Sequence, residues 1–165
     1  MEKEPSQNEE RTPVDKQSYQ ELIGSLLHLS TFSRPDISCN VNMLSQFNQD
    51  PRKQHWNLAL SVLKYLKGTI NSKILYSRTG KPISAYSDSN WAEDINDRKS
   101  QSGIVFVMAG GPIDWESRKQ SIITTSSAEA EYVTLTSAAK KAKYFKLLLV
   151  ELGILSEEQP IEFIH

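Results

Sequence analysis

Apolar positions recur at two different spacings along this chain, and the change falls near its middle. Up to about residue 67 the spacing is three and four. Tyr19, Leu22, Ile23, Leu26 and Leu27 share one helical face, and Ser18 with Glu21 three residues later gives a capping-box start. Arg34-Pro35-Asp36 opens a second helix with proline at its first position, continued by Ile37, Val41, Leu44 and Phe47. Asp50-Pro51 opens a third, where Trp56, Ala59, Leu60, Leu63 and Leu66 align and Gly68 is placed as an end cap.

After residue 70 the period shortens towards two. Residues 83–88 alternate like a half-buried strand. Residues 103–108 (GIVFVM) form a β-branched and aromatic run expected of a central strand, followed by a Gly110-Gly111 hairpin signal and a return over 112–115. Residues 121–125 (SIITT) extend or follow that strand. The longest helical pattern covers about 128–152, with Ser126 and Glu129 as a second capping-box pair and Gly153 as its stop. Residues 161–164 (IEFI) read as a last strand. Three helices, three strands, a helix and a strand define an α/β chain.

The 165 residues suit one ordinary domain or two small pieces of a larger protein. The composition shift near Thr79-Gly80 divides a helical segment, 18–79, from an α/β segment, 80–165. Residues 1–17 are polar, charged and broken by Pro5 and Pro13, so they are expected to be a disordered lead-in. A net charge of −1 argues against a nucleic-acid binder that works through overall charge. The single cysteine, Cys39, excludes an internal disulfide framework. With no apolar N-terminal stretch and no long apolar run, a soluble intracellular protein without membrane contact is expected.

Two carboxylates stand out by position. Asp88 closes the first strand, and Glu131 lies in the first turns of the long helix. The stripe of that helix runs through Leu135, Ala138, Ala142, Phe145 and Leu149. Four residues before Leu135 is Glu131, which is therefore expected to face the sheet, with Glu129 off that line. A carboxylate at a core edge is costly unless something pairs with it, and a divalent cation is one partner. The plainer alternatives are a lysine or arginine partner, or the favourable helix dipole, and for Asp88 a turn role. On periodicity alone these outweigh the metal reading. Lys140, Lys141, Lys143 and Lys146 cluster on the same helix. A solvated face is the commoner meaning of such a run, and Lys140, Lys143, Arg98 and Lys99 are weak candidates for phosphate contact. Trp91 and Trp115 read as packing residues, and the three histidines have no metal-binding spacing.

The wording of the motifs shifts that balance. Tyr86-Ser-Asp-Ser-Asn-Trp-Ala-Glu-Asp94, Asp97-Arg-Lys-Ser-Gln-Ser-Gly103, Gly110-Gly-Pro-Ile-Asp-Trp115, Arg118-Lys119-Gln120 and Ser126-Ser-Ala-Glu-Ala-Glu-Tyr132 resemble, in order, the ribonuclease H of Copia-type retrotransposon Pol polyproteins. Tyr19-Gln-Glu-Leu-Ile-Gly-Ser25, Arg34-Pro-Asp36 and Leu63-Lys-Tyr-Leu-Lys-Gly-Thr69 resemble the segment that joins reverse transcriptase to ribonuclease H. The resemblance covers about residues 18–165. It implies a reverse transcriptase tail or connection followed by a truncated ribonuclease H-like fold, β-β-β-α-β. It also implies cleavage of the RNA strand of an RNA–DNA hybrid with two Mg²⁺ ions, Asp88 and Glu131 being the first two metal-binding acids. The remainder of the polyprotein would be a partner, in a cytoplasmic particle or the nucleus.

The chain departs from that pattern in places. Asn90 stands where the family usually has a second aspartate, and Glu93 replaces a usual glycine. The family's third and fourth acids fall beyond His165. The isolated chain is therefore expected to be inactive or nearly so, whether it is an enzyme segment or a non-catalytic nucleic-acid-binding or relic module.

Overall fold

The computed structural model describes residues 12–92 and 97–164. The chain divides into two compact units, Met1–Lys73 and Ile74–His165. The division precedes the Thr79-Gly80 boundary expected from composition, because the intervening residues pack with the second unit. The Ser77 N–H donates to the Ala109 carbonyl at 2.7 Å, and the Tyr76 hydroxyl donates to the Pro112 carbonyl at 2.6 Å.

Among the described residues the first unit holds three α-helices: α1, Lys16–Phe32; α2, Ser38–Ser45; and α3, Lys53–Gly68. A single 3-10 turn, Pro35–Ile37, leads into α2. Helix α1 starts ahead of the expected Ser18 cap, because the Asp15 carboxylate accepts the Ser18 N–H at 2.8 Å and so satisfies an otherwise unpaired donor. The residues before it are ordered too, since the Lys53 N–H donates to the Thr12 carbonyl at 2.9 Å and Pro13 bridges Arg52. Residues 1–11 of the expected disordered lead-in lie outside the described residues. Tyr19, Ile23, Leu26, Ile37, Val41, Leu44, Ala59 and Val62 form the core. Each large side chain among them contributes about 1.5–3 kcal/mol by leaving water. The buried line of α3 runs through His55, Ala59 and Val62, one position from the expected stripe, and leaves Leu63 exposed. His55 causes the rotation: it stacks on Phe47 with ring centroids 3.8 Å apart, and its Nδ1 accepts the Arg52 N–H. The Arg34 guanidinium joins the turn to the end of α3, donating to Asp36 at 2.7 Å and to Thr69 Oγ1 at 2.6 Å. Two separate sequence motifs are therefore halves of one clamp.

The second unit is a mixed four-stranded sheet and one long helix. Strands β1, Ser84–Asn90; β2, Gln101–Met108; β3, Gly111–Lys119; and β4, Glu162–Ile164 lie in the order β3-β2-β1-β4. β1 runs antiparallel to β2 and parallel to β4. Helix α4, Ser127–Glu151, packs on β1 and β2 through Ala138, Ala142 and Leu149 against Ile83, Ala85, Ile104 and Phe106. The hairpin turn is Ala109-Gly110, both in the left-handed region, one residue earlier than expected. Gly111 instead begins β3, where a Cβ would meet the Tyr76 ring at 2.8 Å. Residues 121–125, read from sequence as extending or following a strand, follow β3 as irregular chain, with Thr124 drawn into side-chain bonding with Ser100. Helices and a mixed sheet make the chain α/β overall. Among the described residues no helix is long and apolar enough to cross a membrane.

Candidate functional site

β1 alternates. Ala85 and Ser87 are buried, while Tyr86 and Asp88 are exposed on the opposite side of the strand. Asp88 is in register with Gly103 of β2. The missing side chain at Gly103 leaves the space beside the carboxylate open. The Asp88 Oδ1 accepts the Ser89 N–H at 2.8 Å, which leaves its second oxygen available.

Glu131 comes from α4, whose start is fixed by a cap. Ser126 Oγ accepts the Glu129 N–H at 3.2 Å. Glu129 in turn accepts from the Thr125 N–H at 2.6 Å and the Thr125 hydroxyl at 2.9 Å. These bonds, the backbone one foremost, hold the Glu129 carboxyl below its usual pKa. Glu129 thus closes the helix start. Among the described residues, no hydrogen bond or ion pair reaches the Glu131 carboxylate.

Helix α4 keeps the expected stripe at Ala138, Ala142, Phe145 and Leu149 and departs from it by one position only in its first turns. Its buried line is Ala130, Thr134, Ala138, Ala142 and Leu149, and Glu131 and Leu135 are half-buried beside it. That places Glu131 on the border of the core. There it lines a cleft of about 870 Å³ together with Asp88, Tyr86, Gly103, Val105 and Leu135. The two carboxylates singled out from sequence therefore share one cleft. Among the described residues no group of three or more acidic, histidine or cysteine side chains is placed to hold a metal ion. The donor set is two carboxylates with hard oxygens, fit to supply part of the coordination of one divalent cation.

The basic candidates lie elsewhere. Lys140 and Lys143 are exposed on α4 and do not line the cleft. Lys141, from the same run, pairs with Asp114 at 2.8 Å and Glu116 at 2.9 Å on β3. Burial alone would lower its pKa, but the hydrogen bonds that Lys141 donates to Asp114 and Glu116, with the charge of those carboxylates, outweigh it and raise the value. Arg98 is exposed with a left-handed backbone, and Lys99 is 3.9 Å from Asp97. Both belong to the connection between β1 and β2. Glu93 lies outside the described residues; Asn90 ends β1 and is exposed. The Trp91 indole donates to the Thr124 carbonyl at 3.1 Å, tying the end of β1 to the approach to α4.

Sequence reasoning missed the polar group between α4 and the sheet. Gln120 Nε2 donates to Ser102 Oγ at 2.9 Å and to the Ala130 carbonyl at 3.0 Å, and is 3.3 Å from Thr134 Oγ1. Ser102 and Thr134 hydroxyls are 2.6 Å apart. A signal was present: Thr134 occupies a core position of the helical period, where a hydroxyl needs a partner.

The chain is 34% identical over 154 residues to the retrovirus-related Pol polyprotein from transposon TNT 1-94 of Nicotiana tabacum, matching 93% of this chain and 12% of that protein. It is 39% identical over 149 residues to the Pol polyprotein from transposon RE2 of Arabidopsis thaliana, matching 89% of this chain and 10% of that protein. It is also 38% identical over 125 residues to secreted RxLR effector protein 161 of Plasmopara viticola, matching 75% of this chain and 88% of that protein. The chain thus spans about a tenth of the length of the two polyproteins. No family model matches the chain, and no solved structure matches it significantly.

Proposed function

Because the chain belongs to the Copia-type retrotransposon Pol polyproteins, we propose that its second unit supplies the first two carboxylates of a ribonuclease H site that cuts the RNA strand of an RNA–DNA hybrid. The observation that carries this reading is that Asp88 and Glu131 line one cleft. The mixed sheet with a helix packed on it supports a ribonuclease H-like fold. The helical unit is read as the reverse transcriptase tail or connection, with the rest of the polyprotein as partner, inside the cell. Two bound Mg²⁺ ions would activate the attacking water and stabilise the leaving oxygen.

The residues present define their share of that work. Asp88 is carried by a strand paired on both sides over Ser84–Tyr86, and Glu131 by a capped helix, so both carboxylates rest on regular elements. Glu129 is occupied at the cap, which leaves Glu131 as the acid of that segment free to face a cation. Two carboxylates offset only half the charge of two Mg²⁺ ions. Weak ion binding and negligible cleavage are therefore expected of these residues alone. The test is hybrid cleavage in Mg²⁺ by the chain continued with the residues that follow it in a relative. Asp88→Asn should reduce the rate by about a hundredfold or more, and full activity in that variant would refute the assignment.

A second reading is favoured by the effector match, a relative of which this segment makes up most of the length. In that reading the segment is a self-standing module that binds nucleic acid without cutting it. Salt-dependent binding of hybrid by the 165-residue chain, with no cleavage by the continued chain, would select it.

A further inference from the structure

The two carboxylates lie on different elements, and something must fix the distance between them. The apolar contacts of α4 do not do this at its N-terminal end. There the buried side chains are Ala130 and Thr134, and the larger apolar contacts with the core come further along, at Phe145 and Leu149. The position of the first turns rests instead on hydrogen bonds, and one buried amide makes two of those that join them to the sheet. Gln120, at the end of β3, is 6% exposed. Its backbone N–H donates to the Ser100 carbonyl at 2.8 Å, which anchors the residue to the sheet. Its Nε2 reaches the Ala130 carbonyl, one residue before Glu131, and Ser102 Oγ, one residue before Gly103. Gly103 is the register partner of Asp88. The Ser102–Thr134 contact of 2.6 Å closes the group into a brace between β2 and α4.

The geometry points to Gln120 as a positioning residue for the proposed metal site: it holds the first turns of α4, and with them Glu131, at a set distance from Asp88. This rests on the reading of those two acids as metal ligands. Groups that hydrogen-bond a metal ligand set its orientation, and losing one typically weakens metal binding by about 10–100-fold; Gln120 acts one residue away, through the Ala130 carbonyl, so the lower end of that range is expected. Gln120 Oε1 is buried and finds no partner among the described residues. The buried amide therefore carries an unmet hydrogen bond, a cost that packing alone does not explain.

The test is Mn²⁺ titration of the full 165-residue chain, followed by paramagnetic broadening of backbone amide signals. In the native chain, residues 86–89 and 129–132 should broaden together with one midpoint, because one ion touches both carboxylates. Gln120→Met keeps the length and bulk of the side chain but removes its hydrogen bonds. It should raise the midpoint by about tenfold, the lower end of that range, and separate the two groups of signals. Phe145→Leu loosens the far half of the same helix and should lower thermal stability at least as much, yet leave the shared midpoint in place. An unchanged midpoint in Gln120→Met overturns the inference, as does an equal shift in Phe145→Leu, which would reduce Gln120 to general stability. If the native chain shows no joint broadening, the two-carboxylate site itself is wrong and the inference fails with it.

Discussion

The two units solve the problem of an interior in different ways. The helical unit fills its centre with large apolar side chains, Tyr19, Ile23, Leu26, Ile37 and Leu44, all nearly fully buried. The sheet unit has Ile83, Ile104 and Phe106 at one end of its interface with α4. At the other end it buries Ser100, Gln120, Thr124 and Thr134 among small residues. Apolar contacts are additive and tolerant of small shifts. A polar group in a dry interior is directional: it stabilises only while every partner is in place. The polar end is the one beside Asp88 and Glu131, so the unit gives up apolar burial where position matters most.

That contrast can be broken most forcefully at Tyr19. Tyr19→Ala should cost the helical unit about 4 kcal/mol in urea unfolding, through lost burial and the cavity left behind. Tyr19→Phe removes only the hydrogen bond to the Leu44 carbonyl and should cost about 1 kcal/mol. If the two variants cost the same, the hydroxyl rather than the ring governs that core. In the sheet unit, Thr134→Val keeps the shape of the side chain and deletes its hydroxyl, stranding Ser102 and one arm of Gln120. A loss of about 2 kcal/mol is expected. A neutral or stabilising result would mean that this interior behaves as an ordinary apolar core.

The smallest effect is a pH dependence in the helical unit. Burial lowers the pKa of His55 in the folded chain, while the unfolded chain takes up its proton near pH 6.5. The unfolded state therefore binds more protons below that pH. Stability of the helical unit should fall as pH drops through about 6.5 and level off once the folded-state pKa is passed. His55→Phe should flatten the profile in urea melts at successive pH values, and an unchanged slope would remove His55 as its source.

Helices and strands were legible because apolar spacing reports which side of an element is dry. The precise facing of α3 and α4 was less so. Each departs from its apolar stripe only in part, α3 at His55 and Val62 and α4 in its first turns, since His55 and Thr134 occupy interior positions as hydrogen-bonded polar groups that a count of apolar residues passes over. Asp88 and Glu131 could each be singled out by position, near a strand end and at a helix start, but it was the resemblance of the motifs that paired them. The brace of Gln120, Ser102 and Thr134 could not, since it joins three separate elements through contacts that no local period encodes. The 121–125 segment was left between extending and following a strand for the same reason: its β-branched residues suit a strand, but Thr124 is committed to Ser100.

Asp88 belongs to β1, the strand lying between β2 and β4. Interior strands exchange their amide protons only through large openings, whereas helix starts fray in small ones. Deuterium uptake over residues 85–87 should accordingly be among the slowest in the sheet unit, and uptake at the first turns of α4 faster. One carboxylate is then a stationary reference, and the other is the part whose motion sets how long both face the same point.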